Sequence, residues 1–198
     1  MLLSQQLNLK RKGEELSLQL YEKGTEVSIL DSGIWQVYRG VVQLSRVQLD
    51  GSEIVLGWVT ANGIFSNGLD SSSVPYRAIA LSDVYIKRYS LKDITRYPQL
   101  GRQFLAQFSD RLIKSEKLLA IVAIKRVEDR LREFLLMLKQ EMGQDVSDGI
   151  RLQTRFTHQQ LAEAICTTRV TITRILGDFQ NQGWVYFDSD RHIVIKNF

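Results

Sequence analysis

Histidine and cysteine are nearly absent from this 198-residue chain, which has two histidines, His158 and His192, and one cysteine, Cys166. One thiol cannot close an internal disulfide, and it cannot supply the four ligands of an iron–sulfur cluster within one chain. Neither histidine lies in the first 150 residues. That stretch therefore lacks the clustered imidazoles that a metal-dependent β-barrel enzyme or a haem site would need. No apolar run approaches the roughly 18 residues of a membrane span. The start, MLLSQQLNLKRKGEE, lacks the pattern of a secretory signal. These absences point to a cytoplasmic protein that is not an enzyme, with no metal site and no membrane partner.

What is present is ordinary in bulk and specific in detail. Apolar residues make up 44% and charged residues 24%, enough for one or two globular domains with sizeable cores. The net charge of +4 divides as +3 over residues 1–120 and +1 over 121–198, so it is not gathered at one end. Locally, Arg151, Arg155, Arg169 and Arg174 meet only Glu163 as an opposite charge between residues 151 and 177. Such a patch suits phosphates.

The stretch THQQLAEAICTTRVTITRILGDFQNQG, from Thr157 to Gly183, reads as two short helices joined by a tight turn. Leu161, Ala162 and Ile165 share one face of the first, and small Ala162 lets a second helix cross close by. Thr167 and Thr168 offer N-cap chemistry. In the second helix Ile172, Ile175, Leu176 and Phe179 form one apolar stripe. Arg169, Val170, Thr173 and Arg174 fall on the opposite face. This is the build of a helix-turn-helix that reads a DNA major groove, although a plain helical hairpin with a basic face, or one that binds protein, has the same spacing.

Upstream, residues 16–91 hold short β-branched and aromatic runs separated by Gly24, Gly33, Gly40, Gly51 and Gly63. Asp50-Gly51 is a hairpin signal, and a β-roll or jelly-roll barrel is the expected fold. From Leu91 to Gly143 the pattern turns helical. Leu105, Phe108, Leu112, Ser115, Leu119 and Val122 keep a 3-4 spacing that suits a seam between two subunits. Phe104, Leu118 and Ile121 lie on a neighbouring face able to pack on the chain's own roll. Val127–Met142 places Leu131, Leu135 and Leu138 on one face, with a hinge near 123–126. WVYFDSDRHIVI reads as a hairpin with Asp188–Arg191 at its tip and Trp184, Tyr186, Ile193 and Ile195 alternating. A short strand at Gly149–Gln153 completes a winged helix-turn-helix. The expected organisation is α+β: a β-roll sensor over 1–96, a dimerisation helix over 97–124 and the winged domain over 125–198.

The residues TRVTITRILGD closely resemble the recognition helix of the cyclic-AMP receptor protein/FNR family, and within it the cyanobacterial nitrogen-regulator (NtcA-like) branch. WQVYRGVVQLSRVQLDGSEIVLGWVTANGIF resembles the sensory β-roll of the same family, so the resemblance covers most of residues 16–198. It implies a homodimeric, DNA-binding transcription regulator with RNA polymerase as a further partner. Arg169 and Arg174 become base or phosphate contacts, Thr168 and Thr173 backbone contacts, and Thr157 and His158 flanking ones. Many members carry glutamate where this chain has Val170. A carboxylate accepts from cytosine, whereas valine can only touch a thymine methyl. The nitrogen-regulator branch shares the valine and favours GTA…TAC palindromes, which sets the expected operator. Cys166 stands where the motif usually has glycine with positive φ; a small buried turn residue is the expectation there.

The signal is less clear. IFSNGLDSSSVPYRAIAL lacks the glutamate and phosphate-binding arginine of cyclic-nucleotide-binding members, which argues against a cyclic nucleotide. Gly68, Ser71 and Ser72 could cradle a smaller anion, with Arg77 as the segment's only cation. The nitrogen-regulator resemblance implies 2-oxoglutarate, with Arg111 matching the arginine of the long helix and Ser115 near the effector. Ala120 stands where a glutamate is expected. A small-molecule effector of this 2-oxoglutarate-like kind is the first reading. DNA binding without an effector, beside a degenerate pocket, is the alternative.

Overall fold

The computed structural model describes residues 5–11, 14–29, 32–67 and 76–196. The chain divides into two compact units, Met1–Ser115 and Glu116–Phe198. The boundary falls inside the helix that the sequence reading sets apart as 97–124.

The first unit is a roll of antiparallel strands in two sheets. Strands β1 (Gln5–Arg11), β2 (Glu14–Tyr21), β8 (Val84–Tyr89), β3 (Ile34–Arg39) and β6 (Ile64–Ser66) form one sheet in the order β1-β2-β8-β3-β6. Strands β5 (Glu53–Val59), β4 (Val42–Val47) and β7 (Tyr76–Ala80) form the other, in the order β5-β4-β7. One core joins them, with Trp35, Val37, Val42, Leu44, Phe65, Ala78, Val84 and Ile86 all buried. Trp35 stacks on Phe65 with ring centroids 5.8 Å apart. The β4–β5 hairpin turns at Asp50-Gly51 as its sequence demands, with Gly51 at φ +82 and Asp50 Oδ1 accepting from the Ser52 amide at 2.9 Å. Gly40 turns the next corner at φ +90, and a Cβ there would stand 2.3 Å from the Asp83 carbonyl oxygen, so only glycine fits. Strand β1 is an addition to the expected roll, paired along its whole length with β2.

Helix α1 (Leu91–Arg96) is held by a capping box between Ser90 and Asp93, and α2 runs from Pro98 to Val122. In the first unit α2 seats Phe104 on Ile34, Ile64 and Tyr89, the back of the five-stranded sheet. Strand β3 is therefore buried on both faces, which its alternation did not announce. Leu118 and Ile121, read from sequence as able to pack on the roll, are buried and lie in the second unit. Leu105, Leu112 and Leu119 are 71%, 60% and 71% exposed, whereas Phe108 packs partly on the cluster of Phe104. Val122 is half-buried and Ser115 exposed. Ile113 is also exposed. Among the described residues no helix is long and apolar enough to cross a membrane.

The second unit is built on α3 (Val127–Met142), which buries Leu131, Phe134, Leu135, Met137, Leu138 and Met142. Strands β9 (Gly143–Val146), β10 (Gly149–Leu152), β11 (Val185–Phe187) and β12 (Ile193–Lys196) pair in the order β11-β12-β10-β9, around α4 (His158–Ala164) and α5 (Arg169–Asn181). Strand β9, with the sequence GQDV, was not expected. Nor does the last hairpin alternate: Ile193, Val194 and Ile195 are all buried, as is Val185 in place of Tyr186. Strand β12 lies between β11 and β10, so both of its edges are paired, and its side chains are buried on both faces.

Candidate nucleic-acid interface

Helices α4 and α5 are built by local rules. Thr157 and Gln160 make a capping box: the Gln160 amide donates to Thr157 Oγ1 at 3.1 Å, and the Thr157 amide donates to Gln160 Oε1 at 2.8 Å. Thr168 caps α5 by accepting from the Thr171 amide at 3.2 Å. Between them the chain turns through Cys166 at φ +53, the left-handed conformation expected at that position. The thiol itself is exposed, not buried as the sequence reading had it. Beside it in sequence Leu161, Ala162 and Ile165 are buried.

Ile172, Ile175, Leu176 and Phe179 bury the inner face of α5. Phe179 meets Trp184 edge-on at 4.7 Å, and the Arg132 guanidinium lies over both rings. Arg130 adds a second anchor, donating from Nη1 to the Ile165 carbonyl at 3.0 Å and to the Val122 carbonyl at 3.4 Å. Neither arginine was singled out from the sequence, because both contacts join residues far apart in the chain.

The outer face carries Arg169, Val170, Thr173 and Arg174, all exposed. Val170 is 78% exposed, an apolar side chain presented largely to water. Thr173 Oγ1 donates to the Arg169 carbonyl at 2.9 Å and lies 2.8 Å from His158 Nδ1, which ties α4 to α5. The charge pattern differs from the sequence reading in two places. Arg174 pairs with Asp178 at 3.1 Å, one turn on. Arg151 pairs with Asp188 at 2.5 Å and Asp190 at 3.6 Å, because strand pairing brings the last hairpin to it. Partial burial pushes the Asp188 carboxyl up, but Arg151 and the His192 amide outweigh it and hold it below the usual carboxylate range. The Arg151–Asp188 pair thus pins the hairpin tip, where Arg191 takes φ +66.

Beside α5 the tip encloses an open cleft of about 680 Å³, lined by Arg155, Thr157, His158, Arg169, Phe187 and Arg191 among others. Arg155, Arg169 and Arg191 make no ion pair among the described residues. From sequence Arg191 reads only as part of a polar tip. Its role needed the hairpin's position, which no local signal gives.

Among the described candidate effector residues, Arg77, Arg111 and Ser115 do not line one pocket. Gly68, Ser71 and Ser72 lie outside the described residues. Arg77 stands on β7 and pairs with Glu53 and, at 3.2 Å, with Glu26. These two carboxylates, Glu53 first, raise its guanidinium pKa further. Arg111 donates to the Ile64 carbonyl at 3.3 Å and lines a groove of about 350 Å³ against residues 58–64, with Gln107, Asp110 and Lys114. Neither Arg77 nor Ser115 lines that groove.

Residues 129–198 match the Crp-like helix-turn-helix domain. The chain is 31% identical over 193 residues to the global nitrogen regulator of Synechococcus elongatus, covering 91% of this chain and 86% of that protein. It is 32% identical over 173 residues to the global nitrogen regulator of Synechocystis, covering 83% and 76%. A CRP-family transcriptional regulator from Thermus thermophilus has the same fold at a TM-score of 0.78 and 14% identity, over 90% of this chain and 91% of that one. The winged reader, its capped recognition helix and these likenesses along nearly the whole chain agree: the protein belongs to the cyclic-AMP receptor protein/FNR (CRP/FNR) family of DNA-binding transcription regulators.

Proposed function

We propose that this regulator binds, as a homodimer, a palindromic operator of the GTA…TAC kind, in the cytoplasm and without catalysing a reaction. The observation that carries the reading is Val170, exposed at the start of α5 between Arg169 and Arg174. A bare valine in the major groove gains by meeting a thymine methyl and gives a cytosine amino group no acceptor. Two recognition helices related by a two-fold axis reach half-sites about one turn apart. The leucine stripe of α2 supports the two-fold assembly, since Leu105, Leu112 and Leu119 would otherwise remain in water. RNA polymerase is the further partner that such a regulator serves.

The same reading places a small anionic effector, of the 2-oxoglutarate class, beside Arg111. The groove with Lys114 supports it. The pairing of Arg77 with two carboxylates favours the alternative of a degenerate pocket and effector-independent binding.

Gel shifts on a GTA…TAC palindrome, with and without 2-oxo acids and cyclic nucleotides, test both parts. Val170→Glu is expected to move selection from a random DNA library toward GTG half-sites. A library that shows no shift at that base would contradict the contact.

A further inference from the structure

His158 has a neutral tautomer fixed by its neighbours. The Thr173 hydroxyl has one proton, and it goes to the Arg169 carbonyl oxygen at 2.9 Å. The 2.8 Å contact between that hydroxyl oxygen and His158 Nδ1 must then be donated by the imidazole. Neutral His158 is therefore the Nδ1–H tautomer, and Nε2 is a bare acceptor. The imidazole lines the 680 Å³ cleft, and with Nδ1 turned to Thr173, Nε2 is the edge left for a ligand. A phosphate oxygen is also only an acceptor. The two can meet only after Nε2 gains a proton.

The groups around the imidazole are almost all neutral or positive. On its own helix Gln159 and Glu163 are bonded to each other at 2.8 Å. The preceding loop brings Arg155, α5 brings Arg169 and Thr173, and the hairpin brings Phe187, its ring centroid 6.2 Å away, with Arg191. Asp188, next to Phe187, is held by Arg151. Among the described residues no carboxylate bonds to the imidazole. Burial first, then Arg169 and Arg191, hold His158 below the usual histidine range, so it is neutral near pH 7 in the free protein.

We propose that the cleft takes up a DNA backbone phosphate together with one proton from solvent, so that His158 becomes an imidazolium donating from Nε2 to a phosphate oxygen, with Arg155 and Arg191 beside it. This rests on the DNA reading above. Phosphate supplies the negative charge that the cleft lacks, and it raises the imidazole pKa on binding. The extra affinity is complete below the pKa of the free protein and is lost as pH rises through that of the complex.

The test is duplex binding followed by fluorescence anisotropy from pH 5.5 to 8.5 at fixed ionic strength. Between the two pKa values the affinity of the unaltered protein is expected to fall by up to about tenfold per pH unit. His158→Gln should flatten that profile, and His158→Arg should flatten it at the high-affinity level. A second readout needs no variant: by NMR, the His158 ring pKa should rise when duplex is added. An equal pH slope in the unaltered protein and His158→Gln, or a ring pKa unmoved by bound DNA, overturns the proton linkage. Failure to bind any duplex at any pH overturns the operator reading itself.

Discussion

At the scale of single residues, the reader works through what its side chains leave undone. Val170 is left largely exposed, and Arg155, Arg169 and Arg191 make no ion pair among the described residues, while Arg151 and Arg174 are already paired. Length of chain decides which arginines stay free. Asp178 is one helical turn from Arg174, but Asp188 is 37 residues from Arg151 and meets it only through the pairing of β10 with β12. Cys166 shows the opposite kind of strain. Its φ of +53 costs a side chain about 1–2 kcal/mol that glycine does not pay, partly offset by glycine's greater freedom when unfolded. Cys166→Gly should therefore stabilise the protein by up to about 1 kcal/mol in urea denaturation. A midpoint unchanged or lowered would show that the exposed thiol makes contacts that offset the strain.

At the scale of elements, the sequence was most readable where period and cap coincide. Helix α5 has an apolar stripe at i, i+3, i+4 and i+7 and a threonine cap, and it begins where those signals put it, at Arg169. The β4–β5 hairpin was equally legible from Asp50-Gly51. Strand β9 was not, since GQDV is exposed at every position and has neither alternation nor β-branching until its last residue. Strand β12 misled for the reverse reason: Ile193, Val194 and Ile195 are buried in succession, so the alternation that marks a half-exposed strand is absent. The candidate effector residues were named one by one, with no local signal for how they would be grouped. Arg77 and Arg111 come from different sheet edges and helices, and only tertiary pairing shows that Glu26 and Glu53 hold the first. For α2 the 3-4 spacing pointed to a face that is indeed left bare at Leu105, Leu112 and Leu119. On the homodimer reading, Leu112→Asp would bury a carboxylate in an apolar seam, which costs several kcal/mol. Sedimentation should show a monomer for that variant, and a dimer would reject this seam.

At the scale of the molecule, a net charge of +4 says little, because the binding face is set by which cations are unpaired. If Arg155, Arg169 and Arg191 of each protomer meet phosphates, a dimer displaces about six counterions, and log affinity should fall with log salt at a slope near −5. Arg155→Ala and Arg191→Ala should each make that slope shallower by about two per dimer; slopes unchanged in both would remove the cleft from the DNA footprint. The division of the chain carries a further consequence. The compact units part at Ser115 and Glu116, in the middle of α2, where every backbone group is committed to helical hydrogen bonds. A protease has no open strand to enter there. The nearest break in helix is 123–126, and a cut at that point would leave Leu118 and Ile121 on the amino-terminal fragment, although they are buried in the other unit. A reader excised at its apparent hinge would thus lose two buried residues of its own unit, and a fragment that keeps that unit whole has to begin upstream, inside the helix itself.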